Sequence, residues 1–312
     1  MQTLNNNVNL LRLFFNKMAN EQRVFGFYCR PDSAKAETAA EKACKFFEAR
    51  GIRTVNLANL WNVDDDPATN SYWRIPNGTK SLLQLEAALA LGGDGSFLHI
   101  ARLMAPYKVP VLGINFGHVG YLCAVSSDNL EQTLELIINR RYHVEERTMI
   151  DCQVFKGTQA AWHIQALNEI LVGGCNRTVS LEVSVDGANF GTIRGDGLIL
   201  ATTTGSTAYS FSAGGPILLL DNAFCLVASN AVFASSIRSL VLPSSSTVRI
   251  CNLTHPARPY VVADGQQDCT LQKGDIVELK ESPLKARFIE FKDDPPIQNL
   301  RRSFKEKMAA AL

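Results

Sequence analysis

The sequence predicts two domains of different architecture: an α/β domain with a doubly wound parallel sheet, followed by a β-rich domain. Apolar, strand-like runs alternate with helical segments up to about residue 142, and short β-rich runs separated by Gly, Asn-Arg or Asp-Gly turns follow. A length of 312 residues is sufficient for two domains. We therefore expect an α/β domain over 1–142, a β-rich domain over 143–280, and a C-terminal strand and helix over 281–312 that pack back on the first domain.

Strands and helices alternate through the first domain. The strand candidates are short apolar runs, and the helix candidates carry apolar residues at helical spacing. An Asp-Ser N-cap and Gly51 mark the two ends of the first helix, and the polar segment 61–80 predicts a loop. The strands are expected at 24–29, 52–57, 85–93 and 109–115, and the helices at 32–51, 96–106 and 128–142.

The second domain is predicted to be mostly β. Its clearest element is a hairpin in SVDGANFGTI, with Asp186-Gly187 near the tip. One helical segment, around 205–215, is expected to interrupt the strands.

The composition excludes several classes of partner. Apolar residues make up 46% of the chain and charged residues 20%, as in an ordinary soluble protein. The balance of 31 basic and 30 acidic residues favours neither nucleic acid nor an acidic membrane as partner. Eight scattered cysteines without a CxxC pair predict buried thiols in a reducing compartment, so a cytoplasmic location is expected. Neither a signal peptide nor a transmembrane run of about 18 apolar residues is found.

The motif GGDGS, residues 92–96, is the first candidate for chemistry. Gly92 and Gly93 follow a predicted strand, at the edge where α/β sheets bind ligands, and the next helix would offer free N–H groups to a phosphate. Asp94 would repel that phosphate unless a cation lies between them or unless Asp94 accepts a proton, and both arrangements suit phosphoryl transfer to a hydroxyl. The alternative is that Asp94 only caps the following helix. Neither G-x-x-x-x-G-K-[ST] nor G-x-G-x-x-G occurs in the chain.

The segment GDGLILATTTGSTAYSFSAGGP, residues 195–216, is the second candidate. A buried strand runs into a turn at 203–205 and then into a helix whose first turn is rich in hydroxyl groups. Ala208, Tyr209 and Ser212 would share a helix face that suits a purine ring. The alternatives are an ordinary Ser/Thr-capped helix and, for Asp196, an ordinary turn residue.

Two further segments carry candidate residues. Asn168-Glu169 lies inside an apolar run, where it would grip sugar hydroxyls or, alternatively, turn polar side chains to solvent. GINFGHVGYL, residues 113–122, ends in a Gly-rich turn in which Tyr121 could stack on a base. His118 in the same turn is either catalytic or a structural hydrogen-bonding residue.

Together these motifs resemble the NAD kinase family. GGDGS resembles its GGDG[TS] motif, GINFGHVGYL its G-I-N-x-G-x-[LV]-G-[FY]-L segment, and Asn168-Glu169 its Asn-Glu motif. The segment 195–216 is close to its G-D-G…T-P-T-G-S-T-A-Y-S-x-S-x-G-G-P signature, and ADGQQ, residues 263–267, fits its Asp-Gly-Gln. GGDG alone also occurs in phosphofructokinases and in lipid kinases that act on diacylglycerol or sphingosine.

The resemblance implies a phosphofructokinase/NAD kinase-like α/β domain and a particular reaction. The terminal phosphoryl group of ATP, or of polyphosphate, would pass to the 2′-hydroxyl of the adenosine ribose of NAD. Mg²⁺ or another divalent cation would take part. A homodimer or homotetramer is implied, with sites completed by neighbouring subunits.

The resemblance also assigns roles, residue by residue. Asp94 would be the general base, Gly95 and Tyr121 would line the dinucleotide site, and Asn168 and Glu169 would hold the ribose. The remaining nucleotide contacts would come from Asp196, Thr207, Ala208, Tyr209 and Ser212. The sequence departs from the family pattern at Thr203, where proline is usual, and in 231–243, which lacks a Pro-His pair.

Two other functions stay open on the sequence alone. A lipid kinase would share GGDG, and a non-catalytic NAD(P) sensor would keep the dinucleotide pocket but lack the donor site.

Overall fold

The computed structural model describes residues 23–30, 33–58, 84–116, 121–123, 125–174, 177–232, 238–255 and 259–291. These residues divide into two compact units, one formed by residues up to 145 and from 287 onward, the other by 146–286. The loop expected over 61–80, His118 and the C-terminal helix lie outside the described residues. The domain boundaries proposed from the sequence stay a prediction.

The first unit contains a parallel sheet. Its elements are β1 Val24–Cys29, α1 Ala34–Glu48, β2 Arg53–Asn56, β3 Leu85–Gly92, α2 Asp94–Met104, β4 Val111–Asn115, β5 Val125–Ser126 and α3 Leu130–Ile138. Strand β1 pairs with β2 and β3, β3 pairs with β4, and β4 pairs with β5, all in parallel. Phe288, near the end of the last described strand, adds a further parallel pairing to Val111 of β4.

Helices cover both faces of this sheet. Phe25 of β1 and Leu89 of β3 belong to one buried cluster with Phe47 of α1 and Leu134 of α3. On the opposite face, α2 packs closely against β4: a Cβ added to Gly113 would lie 2.7 Å from the ring of Phe97. A parallel sheet with helices on both faces confirms the predicted doubly wound fold class.

The second unit consists almost entirely of antiparallel strands. The elements are β6 His143–Lys156, β7 Gln159–Ala166, β8 Glu169–Gly173, β9 Val179–Val185, β10 Ala188–Gly195, β11 Gly197–Thr202, α4 Tyr209–Ser212, β12 Ala223–Ser229, β13 Ser239–Pro243, β14 Val248–Asn252, β15 Tyr260–Ala263, β16 Gln267–Thr270 and β17 Ile276–Glu290. In the part of the chain that the structure describes, one sheet has the order β13–β12–β11–β8–β15–β16. Strands β10, β9, β14 and β17 pair in that order, and β6 pairs with both β7 and β17. The predicted β-rich character is confirmed.

The predicted hairpin is confirmed. Strands β9 and β10 form an antiparallel pair with a register shift between Asn189 and Gly191, and Asp186 and Gly187 at the tip have φ angles of 49° and 82°. Positive φ at both central residues is what a tight hairpin turn requires.

The helix predicted over 205–215 is wrong as a continuous element. A 3₁₀ turn over Thr204–Thr207 is followed by the single helical turn α4, and Ala208 between them has φ −103° and ψ −127°. Ser206 Oγ donates to the Thr203 carbonyl, and Thr207 Oγ1 donates to the Thr204 carbonyl. Local side-chain bonds of this kind compete with helix formation. The argument that Ala208 shares a helix face with Ser212 therefore fails.

Charged side chains tie the start of β1 to β3 and to the end of α3. Glu86 on β3 accepts two hydrogen bonds from Arg23, at 2.6 and 2.7 Å, and one from Arg140 at 2.9 Å. Burial by itself would raise the pKa of Glu86, but the bonds and charges of the two arginines outweigh it and lower that pKa. No helix of the described residues combines the length and the apolar character needed to cross a membrane.

Glu86→Gln is expected to lower the free energy of unfolding by about 1–3 kcal/mol at pH 7, because glutamine cannot neutralise the half-buried Arg23. The lowered pKa means that the contribution of Glu86 is present above pH 4.5 and is lost as the pH falls further. Urea denaturation at pH 7 and at acid pH measures both effects. Glu135→Gln is the matched control, because its pair with Arg50 is exposed and should change stability by less than about 0.5 kcal/mol. Equal losses in the two variants would contradict this assignment.

Candidate active site

Asp94 is the first residue of α2, yet its side chain does not cap that helix. Gly93 is the N-cap residue, and no side-chain hydrogen bond caps the helix. Asp94 Oδ2 accepts the N–H of Tyr121 at 2.8 Å, and Oδ1 accepts those of Leu122 at 3.1 Å and Cys123 at 3.3 Å. The interpretation of Asp94 as a simple helix cap is therefore wrong. Because a carboxylate offers about four acceptor positions, these three bonds leave roughly one, which the Cys123 side chain also approaches.

The glycines beside Asp94 leave open space at the start of α2. A Cβ at Gly92 would lie 2.4 Å from Ser96 Oγ, so this position is tightly packed. A Cβ at Gly93 or Gly95 would have no described atom within 4 Å. Open space next to the N–H groups that begin an 11-residue helix suits an anionic group such as phosphate.

Tyr121 and Cys123 both face Asp94. Burial, and then the charge of Asp94, raises the pKa of the Tyr121 phenol. The same two causes, in the same order, raise the pKa of the Cys123 thiol far above its usual value. Both side chains are therefore neutral at pH 7 and add no charge beside the carboxylate.

In the second unit, Asn168 and Glu169 are both 7% exposed, so the alternative that they face solvent is wrong. Asp264, itself 8% exposed, accepts the N–H groups of Leu167, Asn168 and Glu169 at 2.9, 2.8 and 3.0 Å. The charge of Asp264 is therefore close enough to act on the Glu169 carboxyl. The sequence analysis did not predict this role of Asp264. It noted only that ADGQQ, residues 263–267, fits the Asp-Gly-Gln motif of the family.

Strand β11 holds the Asn168 turn from the other side. The Thr202 N–H donates to the Asn168 carbonyl at 2.9 Å, and the Thr202 hydroxyl donates to the Leu167 carbonyl at 2.6 Å. Gly205 packs so closely that a Cβ there would lie 2.0 Å from the Asn168 carbonyl oxygen. Only glycine fits at this position.

Two buried polar atoms of this turn have no hydrogen-bond partner. They are Asn168 Oδ1 and Glu169 Oε2. Burial, and then the charge of Asp264, raises the pKa of Glu169 to about 8, although the backbone N–H of Tyr209 opposes the shift. Unpaired buried polar atoms are rare in proteins, so these two indicate a place for a ligand.

The other predicted contacts divide into two groups. Thr207, Ala208 and Tyr209 lie next to the Asn168 turn, with Tyr209 46% exposed and bonded through its N–H to Glu169. Ser212 ends α4 and is exposed. Their contacts with a nucleotide stay predictions.

Asp196 is not brought together with these residues. Gly197, which follows it, pairs with Gly173, whereas Ala201 at the other end of β11 pairs with Glu169. Gly197 and Ala201 are four residues apart, which is about 13 Å along a strand at about 3.3 Å per residue. Asp196 therefore lies at the opposite end of β11 from the residue that pairs with Glu169. The Asp196 carboxylate is exposed and accepts a 2.7 Å hydrogen bond from Asn230.

Among the described residues, no group of three or more His, Cys, Asp and Glu side chains could hold a metal ion. The seven described cysteines are free thiols.

The comparisons with known proteins cover both units. Residues 25–142 match the family described as ATP-NAD kinase N-terminal domain, and residues 168–291 match ATP-NAD kinase C-terminal domain. An NAD kinase of Moorella thermoacetica is 36% identical over 229 residues, 73% of this chain and 73% of that protein.

Two solved structures share the fold. An NAD kinase from Archaeoglobus fulgidus in complex with ATP has a TM-score of 0.67 and 26% identity, over 91% of this chain and 99% of that one. Yeast NADH kinase complexed with NADH has a TM-score of 0.74 and 22% identity, over 89% and 86% of the two chains. The family matches, the identity to the Moorella protein and the shared fold agree with the motifs, and the chain belongs to the NAD kinase family.

Proposed function

We propose that this chain transfers the terminal phosphoryl group of ATP to the 2′-hydroxyl of the adenosine ribose of NAD, giving NADP. The observation that carries the proposal is the Asp94 carboxylate, which begins a helix beside two glycines with open space around them, in a chain of the NAD kinase family. The solved relative that holds ATP supports this donor over polyphosphate. No observation favours the lipid kinase or the non-catalytic sensor.

Asp94 acts as the general base. A sugar hydroxyl is a weak acid and a carboxylate a weak base, so the proton moves to Asp94 while the new O–P bond forms and the bond to the departing ADP breaks. The N–H groups of residues 121–123 hold the carboxylate in one orientation, which favours this transfer. Gly95 and Tyr121 line the dinucleotide site beside it.

The polar residues of the second unit bind the dinucleotide. Asn168 and Glu169 offer buried, unpaired polar atoms, and Thr207, Ala208, Tyr209 and Ser212 supply an adjacent surface. Mg²⁺ or another divalent cation enters with ATP, since such cations are commonly held by phosphates, water and one or two carboxylates. The reduced state of the described cysteines supports a cytoplasmic location.

Asp196 completes the site of a neighbouring subunit in a homodimer or homotetramer. Its exposed carboxylate and its distance along β11 from Glu169 support this assignment. The Asn230 amide orients the carboxylate without burying it.

Asp94→Asn is expected to lower kcat about 10²- to 10⁴-fold while the Kd for NAD changes less than about tenfold. Formation of NADP with ATP and Mg²⁺ measures the first quantity, and calorimetry without ATP measures the second. The melting temperature should also fall, because asparagine has one oxygen for three N–H donors. Asp186→Asn is the control, since Asp186 also accepts a backbone N–H, from Thr247 at 2.8 Å, in the hairpin turn. Parental turnover in Asp94→Asn would disprove the role of Asp94.

Complementation between two inactive variants tests the role of Asp196. Asp94→Asn and Asp196→Ala subunits are each expected to be inactive alone. If Asp196 serves a neighbour, an equal mixture of dimers regains about one quarter of the parental activity, because half the dimers are mixed and each mixed dimer has one intact site. Refolding or coexpression of the two variants, followed by the NADP assay, measures the recovery. Activity that stays at the level of the separate variants would place Asp196 in its own subunit's site or outside any site.

A further inference from the structure

The Glu169 carboxyl has unusual surroundings for an acid that binds a ligand. Glu169 is 7% exposed, and its Oε2 has no hydrogen-bond partner among the described residues. The carboxyl accepts one hydrogen bond, from the backbone N–H of Tyr209. No ion pair between Glu169 and a described basic residue is present. A charged carboxylate in this position would therefore be poorly compensated.

Among the described residues, the elements packed around Glu169 add the negative charge of Asp264 and no positive charge. Strand β11 presents Ala201 opposite Glu169, and α4 presents the N–H of Tyr209. The turn after β15 presents Asp264, whose carboxylate accepts the N–H of Glu169 itself at 3.0 Å. Asp264 has three N–H donors, whereas Glu169 has one, so of the two acids Asp264 is far better placed to carry the charge.

We propose that Asp264 is a positioning residue that holds Glu169 as a neutral carboxylic acid, whose Oε2–H donates a hydrogen bond to an acceptor atom of the bound dinucleotide. The inference rests on the proposed function, because the dinucleotide is the ligand that the donor would meet. The raised pKa of Glu169, about 8, agrees with this geometry.

The first test measures the proton directly, without any ligand. Infrared difference spectra between the wild type and Glu169→Gln, recorded from pH 5 to 10, should show a protonated carboxyl band that disappears with a midpoint near 8. Asp264→Asn should move that midpoint to lower pH. Asp275→Asn should leave it unchanged, because Asp275 is another buried carboxylate that accepts a backbone N–H but does not act on Glu169. A wild-type midpoint near the ordinary value of 4.5 would overturn the proposal.

The second test measures NAD binding by calorimetry over the same pH range, without ATP. The wild-type Kd should be constant at low pH and rise up to about tenfold per pH unit above 8, as the donor is lost. Glu169→Gln keeps an N–H donor, so its Kd should stay within about threefold of the wild-type value at pH 6.5 and should not depend on pH. A pH-independent wild-type Kd would overturn this inference and leave the proposed function intact. Failure of NAD to bind at any pH would overturn both.

Thermal stability gives a third readout that does not involve a ligand. With a raised pKa, the stabilisation from the neutral form is complete below pH 4.5, falls as the pH rises, and is gone above about 8. Glu169→Gln should therefore raise the melting temperature, and by more at pH 8.5 than at pH 5. A variant less stable than the wild type at pH 8.5 would contradict the proposal, and the infrared midpoint remains decisive if Asp264→Asn does not fold.

Discussion

A carboxylate that accepts three consecutive backbone N–H groups is the interaction on which the candidate binding loops of both units depend. Asp94 binds residues 121–123 in the first unit, and Asp264 binds residues 167–169 in the second. Hydrogen bonds to a charged group contribute about 1.5–3 kcal/mol each. Three of them on one side chain fix the backbone of the turn that they bind.

The number of N–H groups that each carboxyl group accepts helps to assign different roles to Asp94, Asp264 and Glu169. Asp94 has roughly one acceptor position beyond its three N–H bonds, next to the Cys123 thiol, and those bonds fix its orientation, as a residue needs if it accepts a hydroxyl proton and must not move while doing so. Asp264 accepts the N–H of Glu169 itself, and its charge acts on the Glu169 carboxyl, so its proposed role is to position Glu169. Glu169, with one donor and a neighbouring negative charge, is left to bind as an acid.

Local patterns predicted the fold well, because strands and helices depend mostly on neighbouring residues. The hairpin at Asp186-Gly187 and the helix over Ala34–Glu48 follow from turn and cap residues beside them. The helix expected over 205–215 was wrong, because the contact between Gly205 and Asn168 and local hydroxyl bonds override helical spacing. Motifs identified the candidate site residues. The N–H groups that Asp94 binds, however, lie 27 to 29 positions away in the sequence, and those that Asp264 binds lie 95 to 97 positions away. No local pattern carries that information.

At Thr203, where the family pattern has proline, other interactions restrain the backbone of the turn. Proline fixes φ near −65°, and Thr203 adopts φ −54° without the ring. Its hydroxyl donates to the Leu220 carbonyl at 2.7 Å, an interaction that proline could not make. The bond joins the start of the 3₁₀ turn to the segment before β12, so that a tertiary contact supplies the restraint that a covalent ring would give. Because Gly205 follows two residues later against Asn168, this restraint also helps to hold the turn that contains Glu169.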